Sequence, residues 1–249
     1  MAETGISVPE LPNLVTIAAN HFKGTPVSEF LRAWENPIFS LMIIAIISLL
    51  AYAASRKRSL VPGRLQSAFE IFVVGIDDFV SGVIGPKGRP FAPFIGTLFI
   101  YILFMNLAGL IPLMKSPTTS WSTTLALAIC VFVYVQYAAI RELGFFGYID
   151  HLMEKPRGIL AFSVVIPLLM LLLHIVSELV RPISLSLRLR SNIWGDDMLL
   201  AVFAGFGIKG VPLFFFNSLM AIVVSIVQTG VFCLLTTIYF TLVMPHEET

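Results

Sequence analysis

Five long apolar stretches dominate the chain and set its organisation. They cover residues 37–54, 91–114, 121–140, 159–206 and 211–244. A helix needs about 20 apolar residues to cross the hydrocarbon core of a bilayer, so the first three stretches predict upright transmembrane helices. The last two stretches are much longer than one crossing, and a short glycine-containing connection joins them. They therefore predict a pair of long helices that are strongly tilted in the membrane.

The polar positions predict two further segments, one between the first two apolar stretches and one before the first stretch. Residues 63–83 mix apolar and polar side chains at helical spacing, which predicts an amphipathic helix on the membrane surface or against a neighbour. The prediction is one all-α polytopic membrane domain, 1–249, with upright transmembrane helices, the amphipathic surface helix and the tilted pair. Its parts are an outer-side N-terminal segment (1–36), a first span (37–55), the amphipathic helix (63–83), a helical hairpin (91–140) and the tilted helix pair (158–244).

The composition agrees with a membrane protein and excludes several other classes. Hydrophobic residues make up 57% and charged residues 12% of the 249 positions, which leaves too little polar surface for a soluble domain. A net charge of +1 without a long basic run gives no indication of nucleic-acid binding. Cys130 and Cys233 lie inside apolar stretches and are interpreted as small buried hydrophobes rather than a disulfide or metal pair. No cofactor or metal site is predicted.

The basic residues predict the orientation, because cytoplasmic loops of membrane proteins carry an excess of Lys and Arg. One predicted side carries most of them: Arg56, Lys57, Arg58, Arg64, Lys87, Arg89, Arg141, Lys155 and Arg157. The other side carries Lys23, Arg32, Lys115 and Lys209. We therefore expect an outer N-terminus and, after five crossings, a cytoplasmic C-terminal HEET tail.

The fourth apolar stretch carries a polar stripe with a fixed positive charge, Arg188, in its middle. At about 100° per residue, a set of polar residues falls within an arc of about 80°: His174, Glu178, Arg181, Arg188, Asn192 and Asp196. Arginine does not lose its proton in a protein, and at bilayer depth it costs about 2.5–3.5 kcal/mol. An intramembrane arginine therefore indicates a functional site facing a partner or a water-filled cavity.

The fifth stretch carries a second polar face. Asn217, Gln228 and Tyr239 are spaced eleven residues apart, which brings them close to one helix face after three turns. Such residues also serve as ordinary hydrogen-bonding contacts between transmembrane helices, and for Asn217 both interpretations stay open. The neutral amide of Gln228 is able to bond Arg188 or a partner carboxylate without adding a charge.

Several motifs occur together and in order. They are VPGRLQSAFE (61–70), IGPKGRPFAPFIGTLFIYILFMNLAGLIP (84–112), SPTTSWSTTLALA (116–128), RPISLSLRL (181–189) and QTGVFCLLTTIYF (228–240). With these motifs, the chain from about residue 36 to its C-terminus resembles the subunit a family of F-type ATP synthases, the stator channel of the membrane sector.

The resemblance implies a mechanism and a set of partners. Arg188 matches the family's arginine that faces a carboxylate on each subunit of a rotating proteolipid c-ring, favours the ionised carboxylate and blocks leakage between two half-channels. Proton flow, or sodium flow, would thereby be coupled to ATP synthesis or hydrolysis in a soluble catalytic head. Peripheral-stalk b-type subunits are the other implied partners, and no catalytic site is expected on this chain itself. The implied location is the bacterial inner membrane.

The resemblance also implies which residues support the ion path. Asn192 and Gln228 match family positions beside the arginine that orient it or line the aqueous paths. The remaining residues expected to support the path are His174, Glu178, Asp196, Asp197, Asn217 and Tyr239.

After the arginine motif the chain departs from the usual family pattern. Arg190 and Ser191 stand where the family commonly has phenylalanine and glycine. Arg190 points about 200° away from Arg188, so it is not expected to duplicate that residue. Pairing with Asp197 and contact with a stator neighbour are the two predicted roles of Arg190.

Departures also occur among the ionisable positions. His174 stands where many relatives carry a glutamate, and it fits either a proton relay or a neutral polar replacement. Ala221 occupies a position that is ionisable in several relatives, and Asp196 is a candidate to compensate for it.

A stand-alone ion channel or a secondary transporter is the main alternative. Either would function without a rotor, yet the chain has no internal repeat, and the carboxylates on the stripe of Arg188, Glu178 and Asp196, are ten and eight residues away from it. A purely structural scaffold leaves the polar stripe unexplained. An intramembrane protease is disfavoured because HExxH and GxSxG motifs are missing from the sequence.

Overall fold

A computed structural model describes residues 13, 15–17, 26–55, 63–111, 114–152 and 162–243. The α-helices in it are α1 (Pro26–Ala33), α2 (Glu35–Ser55), α3 (Arg64–Ile84), α4 (Ala92–Ala108), α5 (Trp121–Leu152), α6 (Phe162–Gly205) and α7 (Val211–Val243). Short 3₁₀ turns cover Pro86–Phe91, Pro117–Thr119 and Gly207–Gly210. Within these ranges there is no β-strand, which confirms the all-α prediction.

Helices long and apolar enough to cross a membrane number five in the described ranges, as predicted. The candidate spans are Glu35–Ala54, Gly88–Ala108, Trp121–Gly144, Leu169–Phe203 and Val211–Leu242. The α6 helix has 44 residues and would measure about 66 Å if straight, whereas the hydrocarbon core is about 30 Å thick. That excess length is compatible with strong tilt, and the tilt itself stays a prediction.

The predicted amphipathic segment forms helix α3, between the first two spans. Its Val80 is completely buried, and Ile76 lies against α4 at Gly96, where a β-carbon would come within 3.5 Å of the isoleucine. The side of α3 that points away from Val80 leaves Ile71 and Val74 exposed. The helix therefore packs on its neighbours with one face and offers a second apolar face to lipid or a partner.

The predicted hairpin consists of α4 and α5, and α5 continues beyond residue 140 to Leu152. The backbone of Gly144 has φ 70° and ψ 160°, which interrupts the regular helix geometry. Glycine reaches this positive φ without steric cost, so the direction of α5 changes at a residue suited to the change. The bend separates the transmembrane part of α5 from its final turns.

Aromatic rings fill the centre of the bundle where α4, α5 and α7 meet. The Phe240 ring is stacked on Phe91 at a centroid distance of 4.6 Å and meets Tyr134 edge-on at 5.8 Å. Phe94 stacks on Tyr134 at 4.1 Å. The buried Leu185 and Leu189 of α6 join the same core. The segment of α6 that carries Arg188 is therefore packed against the centre of the protein.

The interpretation of the two cysteines was right for one of them. Both are free thiols, and Cys233 is buried in the core. Cys130 is exposed on α5, so its predicted burial was wrong. An apolar stretch indicates burial away from water, and a lipid-facing position satisfies that requirement as well as the protein core does.

Part of the predicted orientation lies outside the described residues. The residues concerned are Lys23, Arg56, Lys57, Arg58, Lys155, Arg157 and the C-terminal HEET tail. At the other side, Lys115 lies 3.4 Å from Glu35, so the start of α2 and the connection after α4 are neighbours. The orientation stays a prediction.

Replacing Phe240 by alanine is expected to lower the free energy of unfolding by about 3 kcal/mol, because the ring leaves a cavity in the aromatic core. Thermal unfolding of the purified chain in detergent measures the effect. Phe215→Ala is the matched control, since that ring is 73% exposed and its loss opens no cavity. Equal effects of the two substitutions would contradict the assignment of the core.

Candidate functional site

Arg188 lies on the continuous helix α6 and its side chain is exposed on the surface of the isolated chain. Its neighbours Leu185 and Leu189 are almost completely buried. Nowhere in the described ranges does a carboxylate form an ion pair with Arg188. The packing of α6 therefore turns the guanidinium outwards, where it is accessible to another polypeptide.

The predicted neighbours of Arg188 meet one turn further along α6. The Asn192 side chain donates a hydrogen bond from Nδ2 to Oε1 of Gln228 on α7, at 2.8 Å. Gln228 is only 5% exposed, and its Nε2 group has no hydrogen-bond partner among the described residues. An unpaired buried donor costs about 1–3 kcal/mol.

Asn217, the third predicted residue of α7 with Gln228 and Tyr239, is also buried. Its side chain is 6% exposed, and its Nδ2 group lacks a hydrogen-bond partner in the part of the chain described. A residue that only joined two helices would use its donors for that contact. Both interpretations of Asn217 therefore stay predictions.

Glu178, the predicted acid on the stripe, pairs with Arg181 rather than with Arg188. Its Oε1 lies 2.5 Å from Nη1 of Arg181 on the same helix. Gln136 of α5 donates from Nε2 to the other carboxylate oxygen, and the Tyr148 hydroxyl donates to Oε1 of Gln136. Both oxygens of this buried carboxylate are thus satisfied within the chain.

Gln136 and Tyr148 were not identified from the sequence. Gln136 is a polar residue within an otherwise apolar stretch, and that was a usable signal. Tyr148 gave no signal, because it reaches Gln136 only through the bend of α5. Burial and, secondarily, the Glu178 carboxylate raise the pKa of Tyr148 above its usual value. The phenol therefore stays protonated and keeps donating at neutral pH.

A cavity of about 10 Å³ lies beside this network, between α5, α6 and α7. Its lining includes Val131, Val135, Glu178, Arg181 and Tyr239. The Arg181 guanidinium carbon lies 5.0 Å from the centre of the Tyr239 ring, a cation–π distance. The volume is about that of one water molecule, and the surface that lines it is apolar. Glu178 and Tyr239, both predicted site residues, are thus brought together.

The later part of α6 makes polar contacts with the segment before and at the start of α5. Thr119 donates a hydrogen bond to Oδ2 of Asp197 at 2.9 Å. The guanidinium carbon of Arg190 lies 5.2 Å from the ring centre of Trp121. The predicted pair of Arg190 and Asp197 stays a prediction, since each residue has these other contacts.

The two remaining predicted residues also lie on α6. His174 is half-buried one turn before Glu178, and Asp196 is half-buried beside Asp197. The polar stripe therefore divides into a cluster before Arg188 and a cluster after it. The described residues contain no group of three or more histidine, cysteine, aspartate or glutamate side chains that could hold a metal ion.

Comparison with known proteins gives a consistent family. The family model described as "ATP synthase A chain" matches residues 37–241. The chain is 40% identical to "ATP synthase subunit a" of Protochlamydia amoebophila, over 97% of this chain and 91% of that protein. It is 39% identical to "ATP synthase subunit a 3" of Pelobacter propionicus, over 85% and 93%. It is 38% identical to "ATP synthase subunit a" of Solidesulfovibrio magneticus, over 86% of each.

Arg181→Met is expected to lower the free energy of unfolding by about 3–5 kcal/mol, because it leaves the Glu178 carboxylate buried without its cation. The double variant Glu178→Gln with Arg181→Met should recover most of that loss. Thermal unfolding in detergent measures both effects.

Arg141→Met is the control for this pair, since Arg141 is exposed on α5. If Arg181→Met were as stable as this control, or if the double variant were no better than the single one, the buried pair would not have the assigned role.

Proposed function

The chain belongs to the ATP synthase subunit a family, and on that premise we propose that it is the ion-translocating stator subunit of a rotary F-type ATP synthase. It is an integral membrane protein of the membrane sector of that complex. The observation that carries the proposal is the outward-facing Arg188, which has no carboxylate partner in the described part of its own chain. A permanent charge at membrane depth requires a partner, and a carboxylate on each subunit of a proteolipid c-ring supplies one.

Electrostatics explains how Arg188 would act. A fixed cation within a few ångströms of a carboxylate favours its ionised form and lowers its pKa. Each rotor carboxylate would therefore release its ion on reaching Arg188 and take up another after passing it. The same charge repels a cation that tries to pass directly, so rotation becomes the only route. Each 100 mV of membrane potential contributes about 2.3 kcal/mol for every unit charge that crosses. This free energy per ion is smaller than the free energy needed to make one ATP, so several ions must pass for each ATP.

The two polar clusters on α6 support two separate half-channels. Arg181 precedes Arg188 by seven residues and Asp197 follows it by nine, or about 10 and 14 Å along the helix. We assign His174, Glu178, Tyr239 and the water-sized cavity to one half-channel. Asp196, Asp197 and Asn217 belong to the other. Asn192 and Gln228 lie one turn beyond Arg188, where their hydrogen bond joins α6 to α7 and helps to position the turn that carries the arginine.

The remaining assignments follow from this role. The helix pair within 158–244 would wrap the rotor, and the exposed apolar faces of α2 and α3 would meet lipid or peripheral-stalk b-type subunits. The subunit would act with a soluble catalytic head, with its N-terminus outside and its C-terminus in the cytoplasm of a bacterial inner membrane. Protons or sodium ions are the transported species. In a stand-alone channel or a secondary transporter, Arg188 would face lipid without a counter-charge, which disfavours both alternatives.

Arg188→Ala is expected to reduce ion-driven ATP synthesis by roughly 100-fold or more while the complex still assembles, because the rotor carboxylate loses its desolvated counter-charge. Arg188→Lys should also fail, since a compact ammonium does not reproduce the planar guanidinium fork. Synthesis is measured per assembled complex in sealed vesicles. Arg141→Ala, on an exposed arginine of α5, is the control, and normal synthesis by Arg188→Ala would overturn the proposal.

Gln228→Leu is expected to slow ATP synthesis by about three- to tenfold without stopping it, because the amide orients groups near Arg188 but carries no charge. The rate of synthesis at saturating ADP and fixed driving force measures the effect. Gln66→Leu is the matched control, since Gln66 only bonds Glu70 on the exposed surface of α3. A wild-type rate for Gln228→Leu would reduce that residue to helix packing.

A further inference from the structure

Three side chains of α6 contact one short segment, residues 119–124, before and within the first turn of α5. The Ser186 hydroxyl donates to Oγ1 of Thr124 at 3.2 Å. Arg190 lies over the ring of Trp121, and Asp197 accepts a hydrogen bond from Thr119. These contacts span three turns of α6. We call this group of contacts the backing contacts.

The backing contacts lie on the side of α6 opposite Arg188. At about 100° per residue, Ser186, Arg190 and Asp197 lie at about 160°, 200° and 180° from Arg188 around the helix axis. They therefore fall in an arc of about 40° that is centred directly behind the guanidinium. Contacts placed there fix the rotation of α6 about its own axis.

The charge of Arg190 makes this rotation important. Two arginines lie two residues apart on α6, and both are unable to lose their charge. If α6 turned by half a revolution, Arg190 would replace Arg188 on the outer surface. Trp121 gives Arg190 an aromatic face at 5.2 Å and so stabilises the second cation on the inner side.

We propose that Arg190 and Trp121 form a cation–π pair that acts as a positioning device for ion translocation. The pair holds α6 in the rotation that presents Arg188, and Arg188 alone, to the rotor. Ser186 and Thr124 add a second contact one turn away on the same side. This inference rests on the proposed function, because it assigns to the pair a role in presenting Arg188.

Loss of the cation–π pair is expected to cause ion leakage through the complex, and not only to lower the amount of assembled complex. If the rotation of α6 is no longer fixed, Arg188 blocks the direct route between the half-channels for only part of the time. Ions then pass without driving rotation. A purely structural contact would lower the amount of assembled complex and leave the ATP made per ion unchanged.

Arg190→Gln, Trp121→Leu and their double variant test the pair in complete complexes in sealed vesicles. The two measurements are ATP synthesis per assembled complex and the passive decay of an imposed ion gradient. We expect each single variant to leak about fivefold faster than the wild type, the change in equilibrium that one exposed cation–π contact supplies. The double variant should leak no faster than the worse single variant, because both remove the same interaction.

Matched control variants distinguish leakage caused by loss of the pair from leakage caused by nonspecific damage to the protein. Arg141→Gln and Tyr137→Leu remove an arginine and an aromatic ring from exposed positions on α5 and should leave the leak unchanged. Arg190→Lys and Trp121→Tyr keep a cation and a ring, so we expect them to leak less than the deleting variants. If Arg190→Gln or Trp121→Leu does not assemble, Arg190→Met and Trp121→Met remove the same interaction while keeping more apolar volume, and a wild-type leak in both would overturn the proposal.

Arg188→Ala, measured in parallel, distinguishes failure of the proposed function from failure of the positioning role of Arg190 and Trp121. Normal synthesis by that variant would remove the proposed function and this inference together. Loss of synthesis by Arg188→Ala, with a wild-type leak in the pair variants, would overturn the positioning role alone. Additive leaks in the double variant, or less complex with an unchanged ratio of ATP to ions, would also overturn it.

Discussion

An arginine keeps its positive charge even in hydrocarbon, and this constraint governs the region around Arg188. The charge is tolerated when a counter-charge or water reaches it. The described part of the chain supplies neither an ion pair nor a burying pocket, because α6 packs through Leu185 and Leu189 and leaves Arg188 on the outer surface. The proposed function accounts for this arrangement by a partner charge on another polypeptide.

The chain's own charged groups are arranged so that they do not neutralise Arg188. Glu178 is bonded to Arg181 and Gln136, and Asp197 accepts a hydrogen bond from Thr119. Arg190, the second fixed cation in this part of α6, lies over Trp121 on the opposite side of the helix. Among the described residues of α7, the buried amides of Asn217 and Gln228 each have an unsatisfied donor and carry no charge. This separation of charges from neutral donors is what a stator facing a moving carboxylate requires.

Much of the fold could be predicted from the sequence because membrane helices are local features. The length of an apolar stretch is sufficient to predict each of the five candidate spans, and helical periodicity predicts α3. Asn192 and Gln228 were both identified as site residues, since each amide stands out on an apolar helix, but the hydrogen bond between them was not predicted. The contacts of Arg190 with Trp121 and of Tyr148 with Gln136 were not predicted either, because they depend on how α6 packs against α5 and on the bend at Gly144. Cys130 shows a related limit, since hydrophobicity does not distinguish the protein core from a surface in contact with lipid.

An experimental structure of the intact membrane complex, at a resolution that shows side chains, tests the central claim most directly. The quantity to measure is the distance from the Arg188 guanidinium to the nearest carboxylate of the rotor. We expect a rotor carboxylate opposite Arg188, in direct contact or joined through one water, with Arg190 still over Trp121. A guanidinium that faced lipid, or that was paired with an acid of its own chain, with no rotor surface beside it, would contradict the account.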